Sequence, residues 1–258
     1  MNRRKLLRVG ALTGLTLPLA GCDVFDGLTD RSNAMRQFMQ GINGLTYRTQ
    51  RLLLSPQQLA PEFELTDIRQ GQKPNGSIDP DTPEYLALRE KGFDSHELLV
   101  DGLVEAPQSF TLKALQALPQ RSQITRHDCV EGWSTIAQWQ GTPLSHVLDK
   151  VRLKPEAKYI VFHCFDALSQ SLSGPEYYYE SIDLVDALHP QTILAHSMNG
   201  KPLPVENGAP LRVRVERQLG YKMAKYIQRI EAVASFDQIN GGNGSYWADN
   251  GYEWFAGI

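Results

Sequence analysis

Cys129 stands in the run Arg126-His127-Asp128-Cys129-Val130-Glu131-Gly132-Trp133. The thiol follows a cationic residue closely and precedes a glycine turn. A nearby cation favours the thiolate, the form that binds metal or attacks an electrophile. A soft thiolate suits a soft or high-valent transition metal. Three readings are open on chemistry alone. Cys129 is a metal ligand, an inert buried thiol of the common kind, or a nucleophile served by His127, His163, His189 or His196 as base. No nucleophile motif of a cysteine protease surrounds it. The other cysteines, Cys22 and Cys164, form neither a CxxC pair nor a disulfide framework with it.

The elements that position this thiol follow from periodicity. Ser122 to Val130 reads as a strand, with His127 and Cys129 on one face and Arg126 and Asp128 on the other. A helix carrying Trp139 is expected next, ahead of Gly141. Ser145 to Val151 is an amphipathic helix, and Tyr159 to Phe165 is an apolar, β-rich buried strand. Tyr177 to Ile182, Thr192 to Met198, Leu211 to Glu216 and Tyr226 to Ala234 read as further strands. Asn199-Gly200 gives a hairpin signal. Upstream, Pro83 opens a short helix through Leu88, His96 to Val104 is a strand, and Ser109 to Leu118 is a short strand and helix. The mixture lacks a βαβ rhythm, which implies an α+β fold with a mixed, mainly antiparallel sheet and short helices. Leu59 to Pro83 is rich in turn formers. A loop of that length is expected to be functional in part, and Asn75 is its candidate site residue.

The chain has 258 residues, 41% hydrophobic and 21% charged, so it can bury a large core. A net charge of −3 argues against nucleic acid as the main partner. Arg3, Arg4, Lys5 and Arg8 precede an apolar run from Val9 to Ala20, too short for a comfortable membrane span and suited to a cleavable signal. Arg3-Arg4-Lys5-Leu6-Leu7 resembles a twin-arginine signal, and Leu19-Ala20-Gly21-Cys22 resembles a bacterial lipobox with Cys22 as the lipidated residue. The expected organisation is a signal over 1–21, a tether and packing arm over 22–60, and a catalytic domain over 61–258. Met35, Phe38 and Met39 are expected to make one apolar face in the arm.

The Cys129 segment, continued by Trp139-Gln140-Gly141-Thr142-Pro143-Leu144, resembles the molybdenum-ligand segment of the sulfite-oxidase-type molybdopterin oxidoreductases. The pattern is most similar to bacterial exported catalytic subunits of the protein-methionine-sulfoxide reductase type. Three further blocks resemble that family in the same order: Leu194-Ala195-His196-Ser197-Met198-Asn199-Gly200-Lys201-Pro202-Leu203-Pro204, Asn207-Gly208-Ala209-Pro210-Leu211-Arg212, and Gly220-Tyr221-Lys222-Met223-Ala224-Lys225.

The resemblance implies a sulfite-oxidase-like fold and a molybdenum–molybdopterin cofactor with Cys129 as the protein thiolate on the metal. It also implies Asn75, Asn207, Arg212, Lys222, Met223, Ala224 and Lys225 as cofactor-binding residues. Cys164 stands where relatives of the reductase type have a threonine contacting the cofactor, and is a further cofactor-binding candidate, with a buried strand cysteine as the other reading. Tyr178 is the expected substrate-facing tyrosine and His163 a further catalytic candidate, while Arg214 and Arg217 read as solvated strand positions. Tyr246, Trp247 and Trp254 are expected to pack on the sheet or cover the site. The implied reaction is a two-electron oxygen-atom transfer on a sulfoxide- or sulfite-like substrate, small or protein-bound. No haem motif occurs in the chain, so a separate redox partner, a membrane haem protein, is expected. The expected location is the periplasm or the outer face of the cytoplasmic membrane. The competing expectation is a non-enzymatic membrane-anchored lipoprotein that uses the fold as an interaction or cofactor-binding module.

Overall fold

Alternation sets the first hairpin. Gln123, Thr125 and His127 point inward from one strand of the hairpin that leads to Cys129, and Thr135, Ala137 and Trp139 point inward from its partner. In chain-wide numbering these are β3 (Arg121–Asp128) and β4 (Ser134–Pro143), paired antiparallel from Arg121↔Gly141 to Asp128↔Ser134. The expected helix around Trp139 is therefore a strand. Its apolar residues repeat every second position, which a helix would scatter around its circumference.

The computed structural model describes residues 32–171 and 174–258. Cys22 and the signal lie outside them. The remaining strands are β1 (Glu97–Gly102), β2 (Gln108–Thr111), β5 (Tyr159–Ser171), β6 (Gly174–Asp183), β7 (Ile193–Met198), β8 (Lys201–Pro202), β9 (Arg212–Arg214) and β10 (Ile227–Val233). One sheet runs β2-β1-β10-β5-β6, the other β3-β4-β7-β8, with β9 paired to β7. Among these pairings β1 with β10 is parallel and the rest are antiparallel. The fold is α+β, mainly antiparallel, with short helices.

The helices are α1 (Ala34–Leu53), α2 (Pro83–Glu90), α3 (Leu112–Gln116), α4 (Leu144–Val151), α5 (Leu184–Ala187) and α6 (Tyr246–Asp249). The main core joins Leu98 and Val100 of β1, Ile160 and Phe162 of β5, Ile230 of β10 and the buried face of α4. Gly141 permits the close approach of β4 to β7: a Cβ there would lie 2.1 Å from the Leu194 carbonyl oxygen.

Two compact units divide at Thr46/Tyr47. The first contains the helical residues through Thr46, where Met35, Phe38 and Met39 are all exposed. In the second unit, Tyr47 donates to Asp183 Oδ2 at 2.8 Å, and Arg51 pairs with Asp183 and Asp186 at 2.9 and 2.7 Å.

Candidate active site

The β3–β4 turn is closed by the Cys129 amide donating to the Trp133 carbonyl at 2.9 Å and the Gly132 amide donating to the Cys129 carbonyl at 3.0 Å. Gly132 has φ +83°, which glycine adopts without a Cβ penalty. Cys129 is the first residue past β3, and its side chain is 9% exposed. Burial pushes its thiol pKa up, while hydrogen bonds from the Glu131 and Val130 amides and the charge of Lys73 favour the thiolate. Lys73 lies 4.9 Å from the Trp133 ring centroid and 3.7 Å from Glu131.

Cys129 borders a cavity of about 380 Å³. Asn75, Ser77, Asp166, Met223 and Lys225 line its polar side. Tyr178, Tyr221, Tyr246, Trp247 and Tyr252 give it an aromatic wall. A smaller polar cleft, also bordered by Asn75, is lined by His127, Trp139, Asn207 and Arg212.

Arg212 and Lys225 bring positive charge to these two spaces, each bonded to backbone carbonyls rather than to a carboxylate. Arg212, 1% exposed, donates to the Asn207 carbonyl at 2.9 Å and lies over the Trp139 ring at 5.0 Å, yet its Nε has no partner. Burial, and then neighbouring Arg214, lower its pKa to about 9. Lys225 donates to the backbone carbonyls of Ser77 and Glu206, and burial, reinforced by Arg212, brings its pKa down to about 7. Gly208, at φ +114°, allows this packing: a Cβ would lie 3.0 Å from Lys225 Cβ. A buried cation group of this kind is stabilised by an entering anion.

Arg214 is fully buried, paired with Glu216 at 2.6 Å, and lies 4.3 Å from the Trp139 ring centroid. It is not the solvated position expected, because β9 is covered on both faces. Arg217 is 11% exposed at its side chain and pairs with Asp186 at 2.8 Å.

The anticipated residues separate into groups. Asn75, Cys129, Tyr178, Met223 and Lys225 share the larger cavity; Asn75, Asn207 and Arg212 share the cleft. Ala224 is fully buried and contributes its carbonyl to the Val213 amide at 2.9 Å. Lys222 borders neither space. Its ammonium pairs with Glu180 in the core, where both are fully buried, so an anion-holding role is replaced by internal neutralisation. His163 faces another cavity of about 670 Å³ and contacts Glu231 at 2.9 Å, away from Cys129's cavity lining. Cys164 borders that second cavity too and is 1% exposed, with its thiol pKa pushed well up by burial. Tyr178 lines both cavities and donates to the Tyr221 carbonyl at 2.5 Å. Tyr246 and Trp247 belong to the wall, whereas Trp254 packs edge-on against Tyr159 and at a tilt against Phe236.

Asp166 is absent from the sequence expectations. The register of β5 against β6 shifts between His163 and Ala167, and Cys164, Phe165 and Asp166 are buried in succession. Such an irregularity re-aims side chains. Asp166 accepts from Ser77 Oγ at 2.5 Å, and its Oδ1 is buried without a partner. The available signal was one carboxylate inside an apolar strand.

The donor set fits a metal-bearing, anionic cofactor. Among the described residues no group of three or more His, Cys, Asp or Glu side chains could hold a metal. A single thiolate at the cavity therefore suits a metal whose other ligands arrive with it. The unpartnered Arg212 Nε and His127 Nε2 beside the cleft suit an anion.

Comparison with known proteins agrees with this chemistry. The family described as oxidoreductase molybdopterin binding domain matches residues 85–238. Over 258 residues the chain is 38% identical to the "Putative protein-methionine-sulfoxide reductase subunit YedZ1" of Azospira oryzae, covering 99% of this chain and 87% of that protein. It is 39% identical over 141 residues to the protein-methionine-sulfoxide reductase catalytic subunit MsrP of Xanthomonas axonopodis pv. citri, covering 52% of this chain and 44% of that protein. The second alignment therefore spans less than half of that catalytic subunit. The crystal structure of the sulfane dehydrogenase SoxCD from Paracoccus pantotrophus matches with a TM-score of 0.49 at 22% identity, over 59% of this chain and 45% of that one.

Proposed function

We propose, because the chain belongs to the oxidoreductase molybdopterin-binding domain family, that this molybdenum–pterin enzyme reduces sulfoxides, with methionine sulfoxide as the substrate type. Family membership makes the protein an oxidoreductase and sets aside the non-enzymatic reading. When bound, the cofactor supplies two-electron oxygen-atom transfer, and the chain supplies binding, orientation and electrostatics.

In this reading Cys129 holds the metal. Asn75, Asn207, Arg212, Met223, Ala224 and Lys225 hold the pterin and its phosphate. Arg212 offers a planar fork of donors and Lys225 a point charge. His127 adds a neutral N–H beside the same cleft.

The observation that carries the choice of substrate is the wall facing Cys129's cavity. It has five aromatic side chains and no arginine, and the charge of Lys225 is offset by nearby Asp166 and Glu206. A sulfite dianion would call for concentrated positive charge. A neutral sulfoxide on an apolar side chain fits aromatic faces, which also hold the product thioether by sulfur–aromatic contact. Asp166, with its Oδ1 unpartnered and its carboxyl pKa raised by burial, is the polar group positioned to orient the oxygen, donating to it in the protonated form.

Electrons come from a separate partner, a membrane haem protein, and the chain works at the outer face of the cytoplasmic membrane, exported folded and lipid-anchored at Cys22. The decisive assay offers a panel of free and peptide-bound methionine sulfoxide, N-oxides and sulfite to the cofactor-loaded protein with dye carriers. Reduction of methionine sulfoxide is expected. Sulfite oxidation without any sulfoxide reduction would overturn the substrate assignment.

A further inference from the structure

The cavity of about 670 Å³ that His163 faces has no part in the chemistry described so far. It adjoins the space that Cys129 borders. Tyr178 and Tyr246 line both, with ring centroids 6.1 Å apart, so single side chains separate the two spaces. Two sheet irregularities open the larger one. The β10–β5 register shifts between Ile227 and Arg229, at Gln228, and the β5–β6 register shifts between His163 and Ala167. Gln228 and His163 both line the cavity. Irregularities of this kind interrupt the ladder and re-aim side chains beside active sites.

The charge of this lining has one sign. Glu176 and Asp249 border it, and no Lys or Arg does among the described residues. Glu176 is exposed and accepts from Ser169 Oγ. Asp249 is fixed by the Tyr179 hydroxyl and by the amides of Gly241 and Asn243, at 3.0 and 3.2 Å. These donors are neutral and leave both carboxylates without a counter-ion. His163 supplies none, since burial holds its pKa below the ordinary value. Tyr177, 40% exposed, offers an aromatic face on which a cation can rest.

We propose that this cavity is a second substrate subsite, which takes a lysine or arginine side chain of the polypeptide that carries the methionine sulfoxide. The subsite presupposes the sulfoxide activity proposed above and adds a sequence preference to it. In an extended chain, side chains on one face recur every ~7 Å. That is close to the step across the Tyr178–Tyr246 partition. With the sulfoxide directed toward Cys129, the side chain two positions along is directed past the tyrosines toward Glu176 and Asp249. An anionic side chain there meets two carboxylates and is rejected. A purely apolar one would strip water from both carboxylates and replace none of its hydrogen bonds.

The test offers the cofactor-loaded protein blocked pentapeptides, acetyl-X-Gly-Met(O)-Gly-X-amide, with X as Lys, Gln or Glu and reduced dye carriers as the electron source. The kcat/KM values should fall in the order Lys, Gln, Glu, with about tenfold between the ends at low salt. The spread should shrink in about 0.5 M potassium chloride. Glu176→Gln should narrow it and Glu176→Lys should invert it. The Lys-to-Glu ratio is read within each protein, so a general change in rate cancels. Equal kcat/KM for the Lys and Glu peptides in the wild type overturns the subsite and leaves sulfoxide reduction standing. So does a Lys preference that Glu176→Lys leaves intact. Free methionine sulfoxide outpacing its acetyl amide by the same factor assigns the cavity to an α-ammonium group and overturns the polypeptide occupant. Failure to reduce any sulfoxide in the panel removes the proposed activity, and the subsite with it.

Discussion

The Arg214 guanidinium lies 3.0 Å from His127 Nδ1, joining β9 to the strand that ends at Cys129. An arginine can only donate, so Nδ1 accepts and the imidazole proton sits on Nε2. Burial, then Arg214, Arg212 and Lys225, hold the His127 pKa well below its ordinary value. His127 should therefore remain neutral on lowering the pH from 8 to 5. Its ring resonances in a two-dimensional NMR titration should stay fixed, and an inflection near pH 6.5 would contradict the assignment.

Lys225 makes the cofactor-free protein pH-sensitive in the opposite sense to an acid-stable salt bridge. Its folded pKa, about 7, lies below the unfolded value. Between these values the unfolded chain binds the extra proton, so stability rises with pH through that window and is lowest below pH 7. Melting temperature measured from pH 6 to pH 9 should climb, and Lys225→Met should flatten the climb. Added phosphate should raise the melting temperature most at the acidic end, where Lys225 is charged. Arg212→Ala should remove most of that phosphate effect.

Lys222 is expected to be structural. Burial pushes Glu180 up, to about 7, and Lys222 down, yet the pair is in direct contact within the core. Lys222→Met leaves a buried carboxylate alone and should cost about 3–5 kcal/mol in urea unfolding. Adding Glu180→Met should recover a large part of that loss. The phosphate response of the melting temperature should survive in the double variant, unlike in Arg212→Ala.

Cys129→Ser replaces a thiolate with a poor ligand for a soft metal at nearly constant size. The variant should fold as the wild type does, by melting temperature in the cofactor-free form. After cofactor-competent expression it should lose the sulfur-to-metal charge-transfer absorption and lower kcat for dye-linked sulfoxide reduction by at least about a hundredfold. Full activity with an unchanged spectrum would refute its role as ligand.

Local pattern was enough to read much of the scaffold. Alternation through Ser122 to Val130 put His127 and Cys129 on one side, and both are buried, while Asn199-Gly200 marked the β7–β8 hairpin. It misled at Trp139, where alanine and glutamine around a tryptophan suit helix and strand alike until the inward residues are counted.

The sequence by itself determined that one cysteine ends a strand and that cations recur downstream in blocks that resemble a phosphate-holding framework. Only the tertiary structure decided which cations are free to meet an anion. Arg212 and Lys225 reach their clefts with backbone carbonyls as partners, whereas Arg214 and Lys222 are neutralised by Glu216 and Glu180. It alone decided that the irregular β5 carries Asp166 to the cavity while His163 belongs to another. The reason is physical: burial and pairing depend on what the opposite strand presents, and that register is set by contacts far apart in the chain.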